Sequence, residues 1–404
     1  MKILFPIISF YPNQKAGPSL SISWLVKALS QVGVKTTVVT TTSGITAPIA
    51  KNKWISNEYG RIIYHSYLSQ LLPLRAIWTS IKQVKHHDIV HLNYMYNPLD
   101  LIVGMYALLL KKQVIWAASG VLDEKALKYK SLKKSLYLAF FKPIFRNKIT
   151  FHSTSMQESN DIKRVFGENV RIVEHPNYIE AVTRKNLPIK NYFLFVGRIN
   201  PIKGLENLIK AIHLSKKIQD SNYLFYIAGD AENSYGMKLK EMVLELGLSK
   251  RIIFVGQVED EEKNDLFGSA YFSILPSHCE NFGNVVTESL VQQTPVIAST
   301  GTPWQILADL KSGFWCSNSP ESLAEVIEKA IELPVDEYFE YRENAERTSE
   351  LFIITYNIHK WHESYKNLLP PTDTSSVGGE PVFKQPELEK KGRPHKNQEV
   401  LKAI

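Results

Sequence analysis

Hydrophobic residues along this chain follow two alternating patterns. Short runs rich in β-branched and aromatic residues predict buried strands, and longer segments with helical periodicity separate many of them. Several runs are almost continuously apolar, which is typical of strands covered on both faces. In the first half of the chain the predicted strands are Lys2–Ile8, Val34–Thr41, Arg61–Tyr67, Asp88–Asn93, Gln113–Ala117 and Lys148–His152. Together with predicted helices such as Leu20–Val32 and Pro98–Leu110, they indicate a parallel sheet with helices on both sides.

The same alternation restarts in the second half of the chain. Helices are predicted at Leu205–Lys217 and Met237–Leu246. The second set of buried strands comprises Tyr192–Val196, Tyr223–Ala228, Arg251–Val255, Tyr271–Leu275 and Pro295–Ala298. The sequence therefore predicts an α/β fold with two doubly wound, Rossmann-like domains and a cleft between them.

Polar and proline-containing segments suggest the domain boundaries. The polar stretch Glu180–Lys190 predicts a linker, which gives a first domain at 1–180 and a second at 181–350. A helical pattern spans Asp336–Leu369 with a break near Ser349–Thr355, and two prolines end it. We expect the helix at 351–371 to pack back on the first domain. Residues 372–404 are rich in Pro, Gly, Ser and charge, so they are expected to be disordered.

Composition narrows the setting in which the protein works. The 404 residues are 44% hydrophobic and 22% charged, as in a soluble globular enzyme. Cys279 and Cys316 allow at most one disulfide, which favours a reducing compartment. The longest apolar run, Leu101–Leu110, is short of the roughly 20 residues that span a bilayer. We expect a cytoplasmic protein. Its formal net charge of +8 favours an anionic partner. That partner could be nucleotide phosphates, nucleic acid or an acidic membrane surface, and the charge alone does not distinguish them.

Ligands of doubly wound sheets bind beyond the carboxyl ends of the strands, so the segments after the second-half strands are the candidates for chemistry. After Val196 the chain continues with Gly197 and Arg198, and Lys203 comes just before a predicted helix. Two cations beside a helix N-terminus suit a diphosphate; a solvated basic turn is the alternative. Gly229, after the next strand, would let a ligand approach the backbone closely, or it is an ordinary turn glycine.

The loop after Leu275 carries the most specific pattern. Glu280 lies in the loop, Gly283 follows it, and Glu288 lies about one turn into a helix predicted from Asn284. A carboxylate at the position of Glu288 accepts two hydrogen bonds, which suits the two hydroxyls of a ribose. Either glutamate alone is better explained as a surface carboxylate, but for the pair at this spacing that explanation is disfavoured.

These blocks resemble those of a known family. The segment from Glu280 to Glu288 is similar to the E-x7-E motif of retaining glycosyltransferases with the GT-B fold, also called glycosyl transferases group 1 or glycosyltransferase family 4. Gly197-Arg198 through Lys203-Gly204 resembles the family's GR-x4-KG block. The resemblance covers roughly residues 1 to 368 and is more specific in the second domain than in the first.

The resemblance implies a hexose transfer from a nucleotide-sugar such as a UDP- or GDP-sugar to a saccharide or lipid-linked acceptor, as in bacterial polysaccharide and lipopolysaccharide synthesis. It implies retention of configuration without a metal or other cofactor. Arg198 and Lys203 would neutralise the leaving diphosphate, Glu280 would contact the sugar near the reacting carbon, and Glu288 would bind the ribose. The residues expected to line the sugar and phosphate pocket, largely through backbone N–H groups, are Phe282, Gly283, Asn284 and Val285.

The acceptor side of the family pattern is only partly present. Gly17, in the loop after the first strand, matches a family glycine near the donor phosphates, although a plain turn is equally consistent. Many members carry a histidine where this chain has Ser119-Gly120, so Ser119 is the candidate for a hydrogen bond to a sugar hydroxyl. His91 ends another strand and is a minor candidate, because a lone histidine is more often structural.

Two further features of the first half have a structural and a functional interpretation. Ser155 and Glu158 have the spacing of a capping box, which is the interpretation we prefer. The segment Lys125–Lys148 interleaves basic with aromatic and apolar residues at helical spacing. It fits peripheral contact with an anionic membrane, or an amphipathic helix packed on its own sheet with a solvated basic face.

Three other functions compete with the glycosyltransferase hypothesis. A sugar-nucleotide epimerase uses the same scaffold, and free epimerised product would reveal it. A nucleotide-dependent dehydrogenase needs a G-x-G-x-x-G turn after a strand, and Pro6-Ile7-Ile8-Ser9-Phe10 offers none. A nucleic-acid-binding protein would suit the charge of +8, but that charge is spread along the chain, and we predict no nucleic-acid partner.

Overall fold

A computed structural model of the chain describes residues 1–12, 17–45, 47–67, 72–128, 131–182, 184–258 and 260–370. The predicted disordered tail, 372–404, therefore lies outside the described residues. The chain forms two compact units. Among the described residues, unit 1 comprises 1–180 and 353–370, and unit 2 comprises 181–352.

Unit 1 is built around an eight-stranded sheet of order β3-β4-β2-β1-β5-β6-β7-β8. Neighbouring strands are parallel, except that β3 pairs antiparallel with β4. The strands are β1 (Lys2–Pro6), β2 (Lys35–Thr41), β3 (Trp54–Asn57), β4 (Gly60–His65), β5 (Ile89–Leu92), β6 (Gln113–Ala117), β7 (Thr150–Ser153) and β8 (Arg171–Glu174). Because β1, β2, β5 and β6 are buried along most of their length, the nearly continuous apolar runs are explained.

Helices cover both faces of this sheet. They are α1 (Gly17–Gln31), α2 (Leu74–Val84), α3 (Pro98–Leu109), α4 (Glu124–Lys128), α5 (Ser131–Phe145) and α6 (Met156–Phe166). The buried side chains of α2, α3, α5 and α6 share one core cluster. A second cluster joins α1 to the last described helix, which contributes Trp361 and Tyr365. The two clusters lie on opposite faces, since residues on alternating positions of the strands enter one or the other.

Unit 2 has a six-stranded parallel sheet of order β11-β10-β9-β12-β13-β14. Its strands are β9 (Tyr192–Val196), β10 (Leu224–Ala228), β11 (Ile252–Gly256), β12 (Phe272–Leu275), β13 (Val296–Ser299) and β14 (Gly313–Cys316). A 3-10 turn, Pro201–Lys203, follows β9. The helices are α7 (Leu205–Leu214), α8 (Lys216–Asp220), α9 (Ser234–Glu245), α10 (Asp260–Ser269), α11 (Asn284–Val291), α12 (Ile306–Asp309), α13 (Pro320–Ile331) and α14 (Val335–Glu350).

The chain returns to unit 1 through a last helix, α15 (Ile354–Asn367). The predicted break near 349–355 is the short segment between α14 and α15. The chain leaves unit 1 after residue 180 and returns to it at residue 353. A β-bridge between Ile179 and Ile353 joins these two places within unit 1. The α/β fold with two doubly wound sheets is confirmed, and no described helix is both long and apolar enough to cross a bilayer.

Candidate functional site

The candidate site lies at the carboxyl edge of the unit 2 sheet. Gly197 and Arg198 directly follow β9, Gly229 follows β10, and the loop to α11 follows β12. Strands β10, β9 and β12 are neighbours and parallel, so their carboxyl ends meet at one edge. The sheet thereby brings together three segments that lie far apart in the sequence.

Glycines let the backbones of these segments approach one another. A Cβ on Gly229 would lie 2.1 Å from the carbonyl oxygen of Gly197. Gly204 has a φ of +63°, and a Cβ there would lie 2.3 Å from the carbonyl oxygen of Pro276. Both positions therefore exclude a side chain, and Gly204 also has a backbone conformation that other residues rarely adopt.

Glu280 and Lys203 form an ion pair within this edge. The Lys203 ammonium donates to Oε2 of Glu280, and the two side chains are 13% and 19% exposed. The hydroxyl of Ser277 donates to the same oxygen at 3.4 Å. The backbone N–H of Glu280 donates to the carbonyl of Gly301 at 2.9 Å, which fixes the loop. The two predicted blocks, 77 residues apart at this contact, thus meet through side chains of opposite charge.

Glu288 lies in a separate pairing from Glu280. It is on α11, as predicted, and its side chain is 10% exposed. Its Oε2 lies 3.1 Å from the ammonium of Lys263 on α10. Lys263 was not predicted, because Glu261-Glu262-Lys263 resembles any solvated helical face. The two glutamates of the motif are therefore held by different lysines.

The loop between the two glutamates ends in a helix N-terminus. Gly283, with a φ of +81°, precedes the first residue of α11. Asn284 and Val285 begin that helix, whose first N–H groups point back toward the loop. Phe282 is placed differently from the rest of its block: its ring is buried, with centroids 5.0 Å from Trp304 and 5.9 Å from Phe352.

The backbone of Phe282 is also engaged in the fold. The indole N–H of Trp304 donates to its carbonyl. We interpret the Phe282 side chain as an anchor that holds the loop on the core of unit 2.

A histidine that the sequence analysis missed stands beside Glu280. Nε2 of His278 lies 3.1 Å from Oε1 of Glu206, and its Nδ1 lies 3.0 Å from the side-chain amide nitrogen of Asn318. Tyr235 donates to the other oxygen of Glu206. Burial acts to raise the pKa of Glu206, but the hydrogen bonds from Tyr235 and His278 outweigh it and hold the pKa below its ordinary value. This hydrogen-bond network links the loop after β12 to the start of α7. In the sequence, the only indication of it is that Glu206 lies close to the Lys203-Gly204 block.

Arg198 differs from the other predicted cation. It is exposed, and within the part of the chain that the structure describes no hydrogen bond or ion pair involves it. Its guanidinium is therefore available to an anion that approaches the carboxyl edge of the sheet.

Ser119 in unit 1 lies in the turn after β6. It has a φ of +54°, and its hydroxyl donates to the carbonyl of Asn93 at 3.3 Å. The adjacent Gly120 N–H donates to Oε1 of the buried Glu158 at 2.5 Å. The other oxygen of Glu158 accepts from the N–H and hydroxyl of Thr154 at 2.7 and 2.8 Å. Ser155 caps α6, as the capping-box spacing predicts. The Glu158 carboxylate instead accepts hydrogen bonds from Gly120, in the turn that contains Ser119, and from Thr154.

His91 is fully buried in unit 1, which supports the structural interpretation of this residue. Its Nδ1 lies 2.6 Å from the hydroxyl of Tyr365 on α15. Burial lowers its pKa well below the ordinary value, so the ring is neutral.

Gly17 and the basic segment are the remaining predicted features of unit 1. Gly17 is exposed and begins α1, slightly earlier than the predicted start of that helix. The loop before it, 13–16, lies outside the described residues. The segment Lys125–Lys148 forms most of α4 and α5, with Tyr129 and Lys130 also outside them.

A family model and curated relatives match this chain. Residues 180–348 match the family model "Glycosyl transferases group 1". An alignment with the uncharacterized glycosyltransferase MJ1607 of Methanocaldococcus jannaschii is 27% identical and spans about half the length of each chain. The O-antigen chain mannosyltransferase C of Escherichia coli is 25% identical over 91% of this chain and 99% of its own.

Solved structures share the fold along most of the chain. A sucrose-phosphate synthase from Thermosynechococcus elongatus superposes with a TM-score of 0.71 at 20% identity, covering 91% of this chain and 99% of its own. HepE of Anabaena in complex with UDP-glucose has the same TM-score at 17% identity, covering 91% and 100%. Residues 180–348 are thus similar to glycosyl transferases group 1, and the described chain has a GT-B-like fold.

Proposed function

We propose that the protein transfers a hexose-type sugar from a nucleotide-sugar to a saccharide or lipid-linked saccharide acceptor, with retention of configuration and without a metal. The observation that carries the proposal is the joining of the two predicted blocks at one sheet edge, where Lys203 pairs with Glu280 beside the N-terminus of α11. The exposed Arg198 completes a set of charges suited to a sugar diphosphate.

In the proposed reaction the bond between the anomeric carbon and the diphosphate oxygen breaks, and the acceptor hydroxyl oxygen bonds to that carbon on the same face. The acceptor proton passes to the leaving phosphate oxygen, which yields the glycoside and a nucleoside diphosphate. Arg198, Lys203 and the helix N-terminus would stabilise the negative charge that develops on the leaving group. Glu280 would contact the sugar, and Glu288 would bind the ribose hydroxyls.

The donor and acceptor classes are supported by similarity. One structural neighbour is a complex with UDP-glucose, and one relative is named as an O-antigen chain mannosyltransferase. We therefore propose a UDP- or GDP-hexose as donor and a cell-surface polysaccharide precursor as acceptor. A lipid-linked acceptor fits peripheral contact of the Lys125–Lys148 segment with an anionic membrane on the cytoplasmic side.

The test is a panel of UDP- and GDP-linked glucose, galactose, mannose and N-acetylglucosamine. Binding and slow hydrolysis of each donor are measured first, in the presence and absence of EDTA. The preferred donor is then offered lipid-linked saccharides, and the anomeric configuration of the product is assigned by NMR. We expect one favoured donor, EDTA-insensitive transfer and a retained anomer. Free epimerised nucleotide-sugar without acceptor dependence, or an inverted product, would contradict the proposal.

A further inference from the structure

Three neighbouring helices of unit 1 expose apolar side chains on their outer faces. The outer face of α5 carries Leu132, Leu136 and Phe140, spaced by four residues and 73%, 65% and 49% exposed. At this spacing the three side chains form one stripe along the helix. The opposite face of α5 packs into the core through Leu138, Phe141 and Phe145, so the exposed stripe is additional to the packing that the fold requires.

Helices α2 and α3 repeat this arrangement. Leu74 and Trp78 are exposed on α2, and Met105 and Leu109 are exposed on α3, again with a spacing of four residues. The buried faces of α2, α3 and α5 belong to one core cluster, so these helices cover the same face of the sheet. Helix α3 packs closely against α5 at Gly104, where an added Cβ would lie only 3.3 Å from the ring of Phe145 at the end of α5. We call the outer faces of these three helices the α2/α3/α5 surface.

The charges on this surface have one sign. The three helices contain Arg75, Lys82, Lys133, Lys134 and Lys142, and their only acid is Asp100. Asp100 is fully buried, and burial raises its pKa to about 7, so it contributes little negative charge at the surface. The ammonium of Lys82 also lies 5.0 Å from the ring centroid of Trp78, which places a cation and an amphipathic aromatic side chain together.

We propose that the α2/α3/α5 surface docks on an anionic lipid bilayer, an inference that deepens the lipid-linked acceptor of the proposed function and extends it beyond α5. Apolar stripes enter the boundary between headgroups and acyl chains, while lysine stems reach back to the lipid phosphates. Tryptophan is favoured at that depth. Nucleic acid would need the positive charge but not the exposed Leu, Met and Phe side chains, so charge and apolar exposure together favour the bilayer.

The experiment is co-sedimentation of the full chain with vesicles of phosphatidylglycerol and phosphatidylcholine, and with phosphatidylcholine alone. We expect binding to the anionic vesicles that 0.5 M NaCl weakens strongly. The variant Leu132→Ser/Leu136→Ser/Phe140→Ser should reduce the vesicle partition coefficient about tenfold or more. Trp78→Ser should reduce it by a smaller factor, which would show that α2 belongs to the same surface.

A matched control removes exposed apolar side chains elsewhere. Met237→Ser/Leu244→Ser alters α9 in unit 2, where both residues are also more than half exposed, and should leave vesicle binding unchanged. Circular dichroism verifies that each variant is folded. A fluorescent single-stranded RNA is titrated in parallel.

The proposal is overturned if the α5 variant binds vesicles like the original chain, if the α9 control weakens binding equally, or if RNA binds more tightly than vesicles at physiological salt. Vesicle binding requires no donor, and hydrolysis of a soluble nucleotide-sugar requires no vesicle. Failure of the docking proposal is therefore separable from failure of the glycosyltransferase proposal.

Discussion

Units 1 and 2 share a doubly wound architecture but differ in the polar residues of the loops and helices that follow their strands. In unit 2 the charged residues there are partly exposed and paired with one another, as Lys203 is with Glu280 and Lys263 with Glu288. In unit 1 the corresponding polar residues are buried and hold the fold together, as Glu158 does for the turn at Ser119.

The histidines of unit 1 illustrate this difference most clearly. His91, His152 and His175 surround Trp361 of α15, with ring centroids 5.5, 4.7 and 4.4 Å from its ring. His175 also contacts the Ser364 hydroxyl through Nε2 at 2.8 Å, while Nε2 of His152 lies 3.0 Å from the carbonyl of His175. These rings bind the returning helix to the sheet instead of offering an imidazole to a substrate.

Position at a strand end therefore does not by itself identify a functional residue. The carboxylates of unit 2 differ in that they are partly exposed and paired with lysines. Complete burial with a partner from a distant helix identifies His91 as structural. We therefore expect substitutions of the unit 2 carboxylates to change catalysis or binding, and substitutions around α15 to change stability.

The largest effect is expected for Glu280→Gln, which keeps the shape of the side chain and removes its charge. Loss of a positioned charged group should lower kcat by roughly 10²–10³, while the dissociation constant of the nucleoside diphosphate should change little. Steady-state kinetics with the preferred donor and calorimetry provide the two values. Glu241→Gln, an exposed position on α9, is the matched control and should keep full activity. Normal turnover of the Glu280 variant would remove this residue from the catalytic set.

Glu288→Ala should weaken nucleotide binding more than it lowers kcat. The variant loses hydrogen bonds from the ribose to a charged acceptor, which contribute about 1.5–3 kcal/mol, or roughly a tenfold to hundredfold rise in Kd. Calorimetric titration with the nucleoside diphosphate measures the change. Lys263→Met is the companion variant, because it removes the partner of Glu288 without removing the carboxylate. An unchanged Kd in the Glu288 variant would assign the ribose to another residue.

Acidification should destabilise unit 1 selectively. Burial lowers the pKa of His152 to about 4 and that of His175 to about 3, from an ordinary value of 6.5. Because the unfolded chain binds protons more readily than the folded chain below pH 6.5, the free energy of unfolding should fall by about 1.4 kcal/mol per pH unit for each histidine as the pH drops toward about 4. Above pH 6.5 this contribution is fully present.

Hydrogen exchange measured by mass spectrometry resolves the two units. Between pH 6.5 and 5, after correction for intrinsic exchange, amides of α15 should lose protection while those of α13 in unit 2 change less. The variant His152→Gln/His175→Asn should flatten the pH dependence in α15. Equal loss of protection in both helices would show that these histidines are not responsible.

The smallest effect is expected for Tyr365→Phe. The variant removes the hydroxyl that lies 2.6 Å from His91 in a fully buried site, which should lower the free energy of unfolding by about 1 kcal/mol. Chemical denaturation followed by circular dichroism measures the loss. Donor binding should be unaffected, and a clear rise in Kd would mean that α15 contributes to more than the stability of unit 1.

The sequence predicted most of the sheet strands but missed three of the four at sheet edges; the edge strand β11 was predicted. The eleven predicted strands are all present, with ends shifted by at most two residues. The strands β3, β8 and β14 were not predicted, and each lies at an edge of its sheet. Edge strands are covered less completely, so they lack the continuous apolar run that marks a central parallel strand.

The candidate site was predictable in its residues and less so in its contacts. The motif spacing located Glu280 in a loop and Glu288 on a helix, and the structure has both. Their partners Lys203 and Lys263 lie 77 and 25 residues away along the chain. Of the two lysines, only Lys203 belongs to a recognisable motif. His278 and Glu206 were missed because nothing in either segment indicates that β9 and β12 are neighbours.

Hydrophobic periodicity and turn residues act over a few positions, so the elements, their alternation and the residues at the carboxyl ends of the strands can be predicted from the sequence. Which of those residues meet depends on the packing of elements that lie far apart along the chain. Strand order sets the neighbours of each loop, and burial sets whether a polar group is left for a ligand or used by the fold. For that reason Glu280 of one unit lies in a partly exposed ion pair, whereas His91 of the other is fully buried in the core.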